Sequence, residues 1–520
     1  MRRLTKFASG ALAAGVTTWL ASPAFGQEEA PTVEGVAEGV TTLGQDVNLL
    51  WIVIGAALVI FMQAGFAMVE TGFCRAKHAA HVVVTNFAIF ALGFVAFFVI
   101  GYGLMFGGYS YVLPGFDFGY GSAVGSSLVG NGSWVFLWNP SELIALRGIS
   151  NMDMGADNVM VGAVMGFFLY MVAFMDTTAT IPTGSMAERW KFKSFIWWGL
   201  FCGALYYPLF GGWTWGGGWL SQLGNSLSLG NGYVDFAGSG IVHATGGVAA
   251  LAGAIVLGPR IGKYGKDGKP RALLGHNIPM AMLGTFILLF GWFGFNAAST
   301  LAATDVQFAT VATNTAISGA FGAFVVIFYV TKRLGKPDPA MLANGMLAGL
   351  VAITAPCAFV EPWAAAVIGS IAGVIVVEAV LFIDRRLKID DPVGAVAVHG
   401  ICGLFGVLAV GLFANGEYGA GWNLTTTRDG GVTGLFYGNA GQLVAQLIGI
   451  AVICTVMFGL AFAFFKIQNA ITKGGIRPSA EDEIAGLDLP EMGVPAYHDE
   501  TGHPDEIDTG SLDALTGTSS

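Results

Sequence analysis

Long apolar stretches alternate with short polar loops along most of the chain. Eleven stretches are long enough to cross about 30 Å of hydrocarbon as α-helices. They fall at 48–72, 83–107, 159–184, 194–212, 237–258, 277–298, 308–331, 338–355, 359–383, 393–414 and 436–465. The pattern predicts an all-α polytopic membrane protein with eleven transmembrane helices.

The first 26 residues have the layout of a secretory signal peptide. Arg2, Arg3 and Lys6 precede a short apolar run, and small residues follow it. Such a run is too short to span a bilayer comfortably. We expect cleavage before Gln27, the alternative being a short helix that is retained.

Positive charge separates the loops into two classes. Apart from the signal segment, nearly all Lys and Arg residues lie in alternate loops, and the exceptions are Arg147 and Arg428. Because such residues collect on the cytoplasmic side, the chain is expected in the inner membrane, with its mature N-terminus outside and its C-terminus inside. This leaves an eleven-helix domain at 27–472 and a polar cytoplasmic tail at 473–520, which either hangs free or docks on the inner loops.

Composition supports the membrane assignment and excludes other classes. Of the 520 residues, 54% are hydrophobic and only 11% are charged, which a water-soluble core of this size would not have. The net charge of −10 comes largely from the tail and loops, and nucleic acid is not expected as a partner. No spacing typical of a metal site, a disulfide framework or a catalytic centre occurs. We therefore predict no metal, no cofactor and no enzymatic activity.

Two of the seven histidines, His243 and His399, lie inside predicted helices. Their surroundings are similar, and they stand five helices apart on helices of opposite direction. An odd-numbered repeat inverts its topology in the membrane. We therefore expect a 5+5 inverted repeat plus one extra C-terminal helix, with a substrate path at the repeat interface.

A titratable side chain inside a membrane helix usually has a function, but three interpretations of this pair are open. The histidines could join helices by hydrogen bonds, or they could ligate haem iron. They could also line a narrow pore, where neutral imidazoles pass protons. Such a pore would reject alkali cations and accept a small amine that can lose its proton.

Four strings, two of which contain the histidines, together resemble the ammonium transporter family (Amt/Mep, related to the Rh proteins). They are Asp235-Phe-Ala-Gly-Ser-Gly-Ile-Val-His243, Gly291-Trp-Phe-Gly-Phe295-Asn296-Ala-Ala-Ser299, Asp390-Asp-Pro-Val-Gly-Ala-Val-Ala-Val-His399 and Gly184-Ser-Met-Ala-Glu188-Arg189. The resemblance extends from Met62 to the tail and implies an eleven-helix homotrimer with one pore in each subunit.

The resemblance also implies roles for individual residues. His243 and His399 match the twin-histidine pair of the pore, and Asp235 matches an aspartate that supports the outer site, the alternative being an N-cap of the fifth predicted helix. The matches for ammonium recruitment are Phe174, Trp215 and Ser299, and those for the gate are Phe295 and Thr178.

This chain departs from the family pattern at three places. Thr178 stands where many members have a second gate phenylalanine, and Asp176 is an unexpected acid in the same helix. The tail resembles the regulatory segment of the family but lacks its usual His and second Glu. A PII-type signalling protein is therefore a possible partner at the inner face.

Glu70, near an inner helix end, is interpreted as structural rather than functional.

The predicted function is transmembrane transport of ammonium: the ion binds outside, loses its proton and crosses as ammonia, with or without a proton relay. The alternatives are a membrane ammonium sensor, a gas channel of the Rh type and a haem oxidoreductase.

Overall fold

The computed structural model describes residues 32–107, 126–151 and 159–497. The predicted signal peptide and the last part of the tail lie outside these ranges. The chain divides into two units, the first ending at Val47 and the second beginning at Asn48. In the first unit the described residues are helical and mostly exposed.

The described chain is almost entirely helical, as the apolar pattern predicts. Helices α1 to α11 are, in order, Val33–Phe73, Ala76–Phe106, Val159–Met186, 192–213, Ser239–Leu257, Ile278–Thr300, Gln307–Leu334, Pro339–Thr354, Pro362–Leu387, Val396–Phe413 and Ala440–Ile471. Short helical turns occur at Leu223–Leu227, Ala480–Ala485 and Asp488–Met492.

Nine helices in the described part of the chain are long and apolar enough to cross a membrane. The multi-pass helical architecture is therefore confirmed. The predicted spans at 194–212 and 338–355 correspond to α4 and α8, which are not among the nine. Trp and Tyr side chains lower the hydropathy of α4, and α8 has only 16 residues. The count of eleven spans and the inverted repeat remain predictions.

Burial distinguishes central helices from peripheral ones. In the most apolar window of α3 and of α5, 83% of the residues are buried, against 22% in α11. An apolar helix that stays exposed is suited to contact with lipid. Helices α3 and α5, together with α10 at 72%, are therefore interior helices, and they carry Phe174, Thr178 and both histidines.

Two strands form a hairpin in the predicted loop between α2 and α3. Strand β1, Ser127–Asn131, pairs antiparallel with β2, Trp134–Trp138. Gly132 takes a left-handed φ of 52° between the strands, as tight hairpins require. The apolar pattern of the spans did not predict this hairpin.

Arginines and carboxylates form a buried network at one end of the helical bundle, which we call the basic face (Arg75, Glu188, Arg189, Arg260 and Asp390). Arg75 and Arg260 contact the Glu188 carboxylate, and Arg260 also binds Asp390 with two nitrogens at 2.8 and 3.0 Å. Burial alone would raise the pKa of Glu188, but Arg260, His78 and Arg75 outweigh it and lower that pKa. Both carboxylates are thus held ionised.

The described part of the tail docks at the end of the bundle that carries the basic face. The Glu483 carboxylate accepts a hydrogen bond from the backbone N–H of Ile261 and binds Arg477 of the tail itself, and the Asp488 carboxylate accepts one from the N–H of His81. Further along, Glu491 accepts a hydrogen bond from the N–H of Phe192. Of the two arrangements expected for the tail, the described residues adopt the docked one.

We expect Glu483→Ala to release the segment around 480–492 without unfolding the helices. The substitution removes charged hydrogen bonds that contribute about 1.5 to 3 kcal/mol each, and an opening free energy lowered by this amount speeds amide exchange about 10-fold or more. Hydrogen–deuterium exchange of the tail measures the effect. Glu481→Ala is the matched control, since Glu481 is exposed; equal exchange in both variants would contradict the docking.

Candidate functional site

The two intramembrane histidines lie side by side where α5 and α10 cross. A side chain at Gly247 would meet the backbone nitrogen of Gly400 at only 2.1 Å, so glycine is required for the two backbones to approach this closely. The Nδ1 atoms of His243 and His399 are 3.2 Å apart, a hydrogen-bond distance. The structure thus brings together two residues separated by 155 others along the chain.

Each histidine lies in a π-helical turn at the start of its helix, Ser239–Ala244 in α5 and Val396–Ile401 in α10. Single π-helical turns inside α-helices are frequent at functional sites. His243 is fully buried, and its Nε2 atom has no hydrogen-bond partner among the described residues, whereas His399 is 5% exposed. One imidazole nitrogen is therefore free to exchange a proton.

Aromatic rings continue from His243 in the direction away from the basic face. The His243 ring stacks on Trp292 and Phe295 at centroid distances of 5.2 and 5.3 Å. The ring centroids of Phe295 and Phe174 are 4.2 Å apart, and those of Phe174 and Trp215 are 5.6 Å apart. Both phenylalanines are fully buried. The path beside the histidines is consequently apolar and closed by two rings.

A cavity of about 350 Å³ lies at the far end of this ring column, and we call it the aromatic mouth. Its lining includes Tyr170, Trp215, Ser299, Tyr418 and Trp422. Ser299 donates its hydroxyl hydrogen to the carbonyl of Phe295 at 2.8 Å, and its oxygen lies 3.1 Å from the Tyr170 hydroxyl. Aromatic faces beside a hydroxyl oxygen can hold a small cation.

The residues predicted for recruitment and gating therefore occupy two levels. Trp215 and Ser299 line the aromatic mouth, whereas Phe174 contacts Phe295 below it. Tyr170, which the sequence did not single out, lines the mouth one helical turn before Phe174. Thr178 lies one turn beyond Phe174 on α3 and donates its hydroxyl hydrogen to the Phe174 carbonyl at 3.2 Å.

Asp235 organises the loop that leads into α5. Its carboxylate accepts hydrogen bonds from the N–H groups of Gly238, Gly240 and Ile241 at 2.8 to 2.9 Å, and its carbonyl accepts one from the Trp215 indole. Burial raises the pKa of Asp235 to about 6, although these N–H groups act in the opposite direction. Asp235 thus caps the helix and also fixes Trp215.

Asp391 caps the start of α10 in the same way as Asp235 caps α5. Its carboxylate accepts hydrogen bonds from the N–H groups of Ala395 and Val396 at 3.0 and 2.8 Å. Each aspartate precedes its histidine by eight residues. This shared spacing is a sequence signal that could have identified Asp391 as the counterpart of Asp235.

No cluster of three or more His, Cys, Asp or Glu side chains suited to a metal ion occurs within the ranges that the structure describes. The site is built instead from two imidazoles, aromatic rings and hydroxyls.

Comparisons with known proteins point to one family. The Ammonium Transporter Family model matches residues 50–497. Ammonium transporter Amt2 of Archaeoglobus fulgidus is 44% identical, over 87% of this chain and 88% of that protein. Ammonium transporter Amt1 of Haloferax mediterranei is 35% identical, over 88% of this chain and 80% of that protein.

Solved structures agree with the sequence relatives. A sensor Amt protein superposes with a TM-score of 0.73 at 33% identity, covering 86% of this chain and 99% of the other. Mep2 of Candida albicans superposes with a TM-score of 0.67 at 26% identity, covering 84% and 87%.

Proposed function

The chain belongs to the ammonium transporter family, and from this premise we propose that it conducts ammonium through a pore past His243 and His399. The observation that carries the proposal is the continuous arrangement of aromatic mouth, ring pair and histidine pair. The members of this family are transporters or channels rather than enzymes.

The aromatic mouth recruits the ion. Trp215 and Tyr170 offer ring faces to the positive charge, and Ser299 offers an oxygen that accepts an N–H hydrogen bond. The Ser299 hydroxyl hydrogen is already donated to the Phe295 carbonyl, so its lone pairs face the mouth as acceptors. Recruitment thus uses groups that prefer a cation with hydrogen-bond donors.

The ring pair of Phe174 and Phe295 acts as the gate, although Thr178 replaces the second phenylalanine expected from the family pattern. The rings are 4.2 Å apart and buried, so ammonium cannot pass them with its hydration shell. A charged ion pays a large desolvation cost in such a place, whereas ammonia does not. The ion therefore loses its proton at the ring pair, and the His243 imidazole, which stacks on Phe295, takes that proton up.

The histidine pair receives ammonia and offers a route for the proton. The free Nε2 of His243 can accept a proton, and the contact between the two Nδ1 atoms connects it to His399. Each imidazole both donates and accepts hydrogen bonds. The pair can therefore pass a proton along the same path as the nitrogen.

Orientation follows from charge. The basic face gathers the arginines that the positive-inside rule assigns to the cytoplasm, so we place the tail inside the cell and the aromatic mouth outside. This arrangement agrees with a cleaved signal peptide at 1–26 and with location in the inner membrane. Transport is then directed inward from the mouth.

We also carry over the homotrimer and a PII-type partner at the basic face from the family resemblance. The docked tail supports the second assignment, since it covers the surface that such a partner would approach. Light scattering of the purified protein in detergent tests the trimer; a monomer would contradict it.

Uptake by purified protein tests the function itself. Proteoliposomes should accumulate labelled methylammonium faster than liposomes without protein. Similarity to a sensor Amt protein makes a membrane sensor the second candidate. Binding of ammonium without any uptake would favour the sensor and contradict transport.

We expect Trp215→Leu to weaken recruitment while leaving the pore open. A cation–π contact contributes about 0.5 to 2 kcal/mol, so the half-saturation concentration should rise about 2- to 30-fold, with a nearly unchanged maximal rate. Concentration series of methylammonium uptake measure this change. Trp134→Leu is the matched control, because Trp134 lies on the hairpin and is 42% exposed. An unchanged half-saturation concentration in Trp215→Leu would exclude the proposed contact.

A further inference from the structure

Glu70 is a buried carboxyl group that the proposed mechanism does not use. It lies at the end of α1, is only 3% exposed, and faces α2 and α3. Its carboxyl oxygens accept hydrogen bonds from the Asn86 amide at 2.7 Å and from the Thr183 hydroxyl at 2.8 Å. Both partners are neutral, so neither would balance a negative charge on Glu70, and an unbalanced charge is costly in a membrane helix.

A small cavity joins Glu70 to His399. It has a volume of about 20 Å³ and is lined by Glu70, His399, Phe66 and Asn344, among other residues. A cavity of this size holds about one water molecule, provided that polar groups surround it. Here a carboxylate, an imidazole and an amide supply those groups.

The geometry of α1 places Glu70 on the basic side of the pair. The Phe66 ring lies 6.0 Å from the His399 ring, and Glu70 follows Phe66 by one helical turn, which advances it about 6 Å along the axis. Glu70 thus stands beyond His399, on the opposite side from the aromatic mouth.

We propose that Glu70 is the proton acceptor for His399 and forms the inner end of the proton relay. This proposal rests on the proposed function, because it needs a proton that enters through His243. The imidazolium of His399 loses an N–H proton to one water in the cavity, and that water passes a proton to the Glu70 carboxylate. The neutral carboxylic acid then protonates ammonia that has passed the pair, so that ammonium leaves toward the basic face and Glu70 becomes a carboxylate again.

The surroundings of Glu70 suit a group that alternates between charged and neutral forms. The Thr183 hydroxyl can donate to the carboxylate and accept from the protonated acid. Asp391 and Cys74 are the other titratable groups that interact electrostatically with Glu70, and Asp391 lies at the start of the helix that carries His399. A structural role in joining helices would need only an amide at this position.

Glu70→Gln therefore separates the relay from packing. The amide keeps an acceptor oxygen for Asn86 and Thr183 but cannot take up a proton. In proteoliposomes on a supported membrane, we expect the current after an ammonium pulse to fall about 100-fold, as loss of a proton-transfer group does. The half-saturation concentration should stay unchanged, because the aromatic mouth is intact.

Asp176→Asn is the matched control, since Asp176 is also buried in a membrane helix, 3% exposed, but does not line the cavity. Its current should equal that of the wild type. Infrared difference spectra upon ammonium addition give a second measurement: the wild type should show the carbonyl stretch of a newly protonated carboxylic acid, and Glu70→Gln should lack it.

The possible outcomes distinguish this relay from the function on which it rests. A wild-type current that persists in Glu70→Gln would overturn the role of Glu70 and leave ammonium transport intact. Methylammonium uptake without any wild-type current would mean that only neutral ammonia crosses, and would overturn the relay alone. Absence of both uptake and current in the wild type would overturn transport and relay together.

Discussion

Alanine at either His243 or His399 reduces the ammonium-driven current to that of liposomes without protein. The two Nδ1 atoms are 3.2 Å apart, so removing one imidazole breaks the path and leaves the other without its hydrogen-bond partner. Alanine has no group that can exchange a proton. Currents recorded on supported membranes after an ammonium pulse measure the effect.

His276→Ala is the control for this prediction. His276 lies near the basic face, where it contacts Tyr497 and the Cys74 carbonyl, so the variant should conduct like the wild type. A full current in His243→Ala or His399→Ala, with correctly folded protein, would show that protons do not pass along the pair.

Asp235→Ala should strongly destabilise the protein around the aromatic mouth. The substitution leaves the N–H groups of Gly238, Gly240 and Ile241 buried without their acceptor. An unsatisfied buried donor costs about 1 to 3 kcal/mol, and the combined loss is a large part of the stability of a typical domain. We expect a markedly lower midpoint of thermal unfolding in detergent and loss of methylammonium uptake.

Two comparison variants separate charge from hydrogen bonding at this position. Asp235→Asn keeps one acceptor oxygen and should lie between the wild type and Asp235→Ala. Asp429→Ala removes an exposed carboxylate and should unfold like the wild type. Equal midpoints for Asp235→Ala and Asp429→Ala would mean that Asp235 does not organise this loop.

Hydropathy alone predicts most of the fold, because each helix must be apolar to lie in lipid. The hydropathy signal of a transmembrane helix is weakest where polar aromatic residues change its composition. Helix α4 carries Trp198, Tyr206 and Tyr207, which are fully buried inside the protein but lower its hydropathy. The docking of the tail depends on contacts between its Glu and Asp side chains and backbone N–H groups that only the folded basic face presents together.

The sequence indicates which residues belong to the site, but not where each of them lies along the axis of the pore. Tyr170, Phe174 and Thr178 recur at four-residue spacing, so the sequence indicates that they share a face of α3. Which of them meets Phe295 depends on the axial position of α3 against α6, and periodicity contains no such information. For this reason the sequence does not single out Tyr170, and it does not indicate that the Phe174 ring contacts both Phe295 and Trp215.

The proposed role of Glu70 could not be predicted from the sequence. A single acid near a helix end is usually structural, and nothing along the chain links it to His399. Only the packing of α1 against α10 places both residues on one cavity.

Potassium and ammonium pulses on the same proteoliposomes test whether the ion is deprotonated at the pore, since the two ions are similar in size and only ammonium can lose a proton. We expect a current for ammonium and none for potassium, because the ring pair of Phe174 and Phe295 excludes an ion that cannot become neutral. Equal currents for both cations would contradict deprotonation before the pore, and would mean that the ion crosses intact.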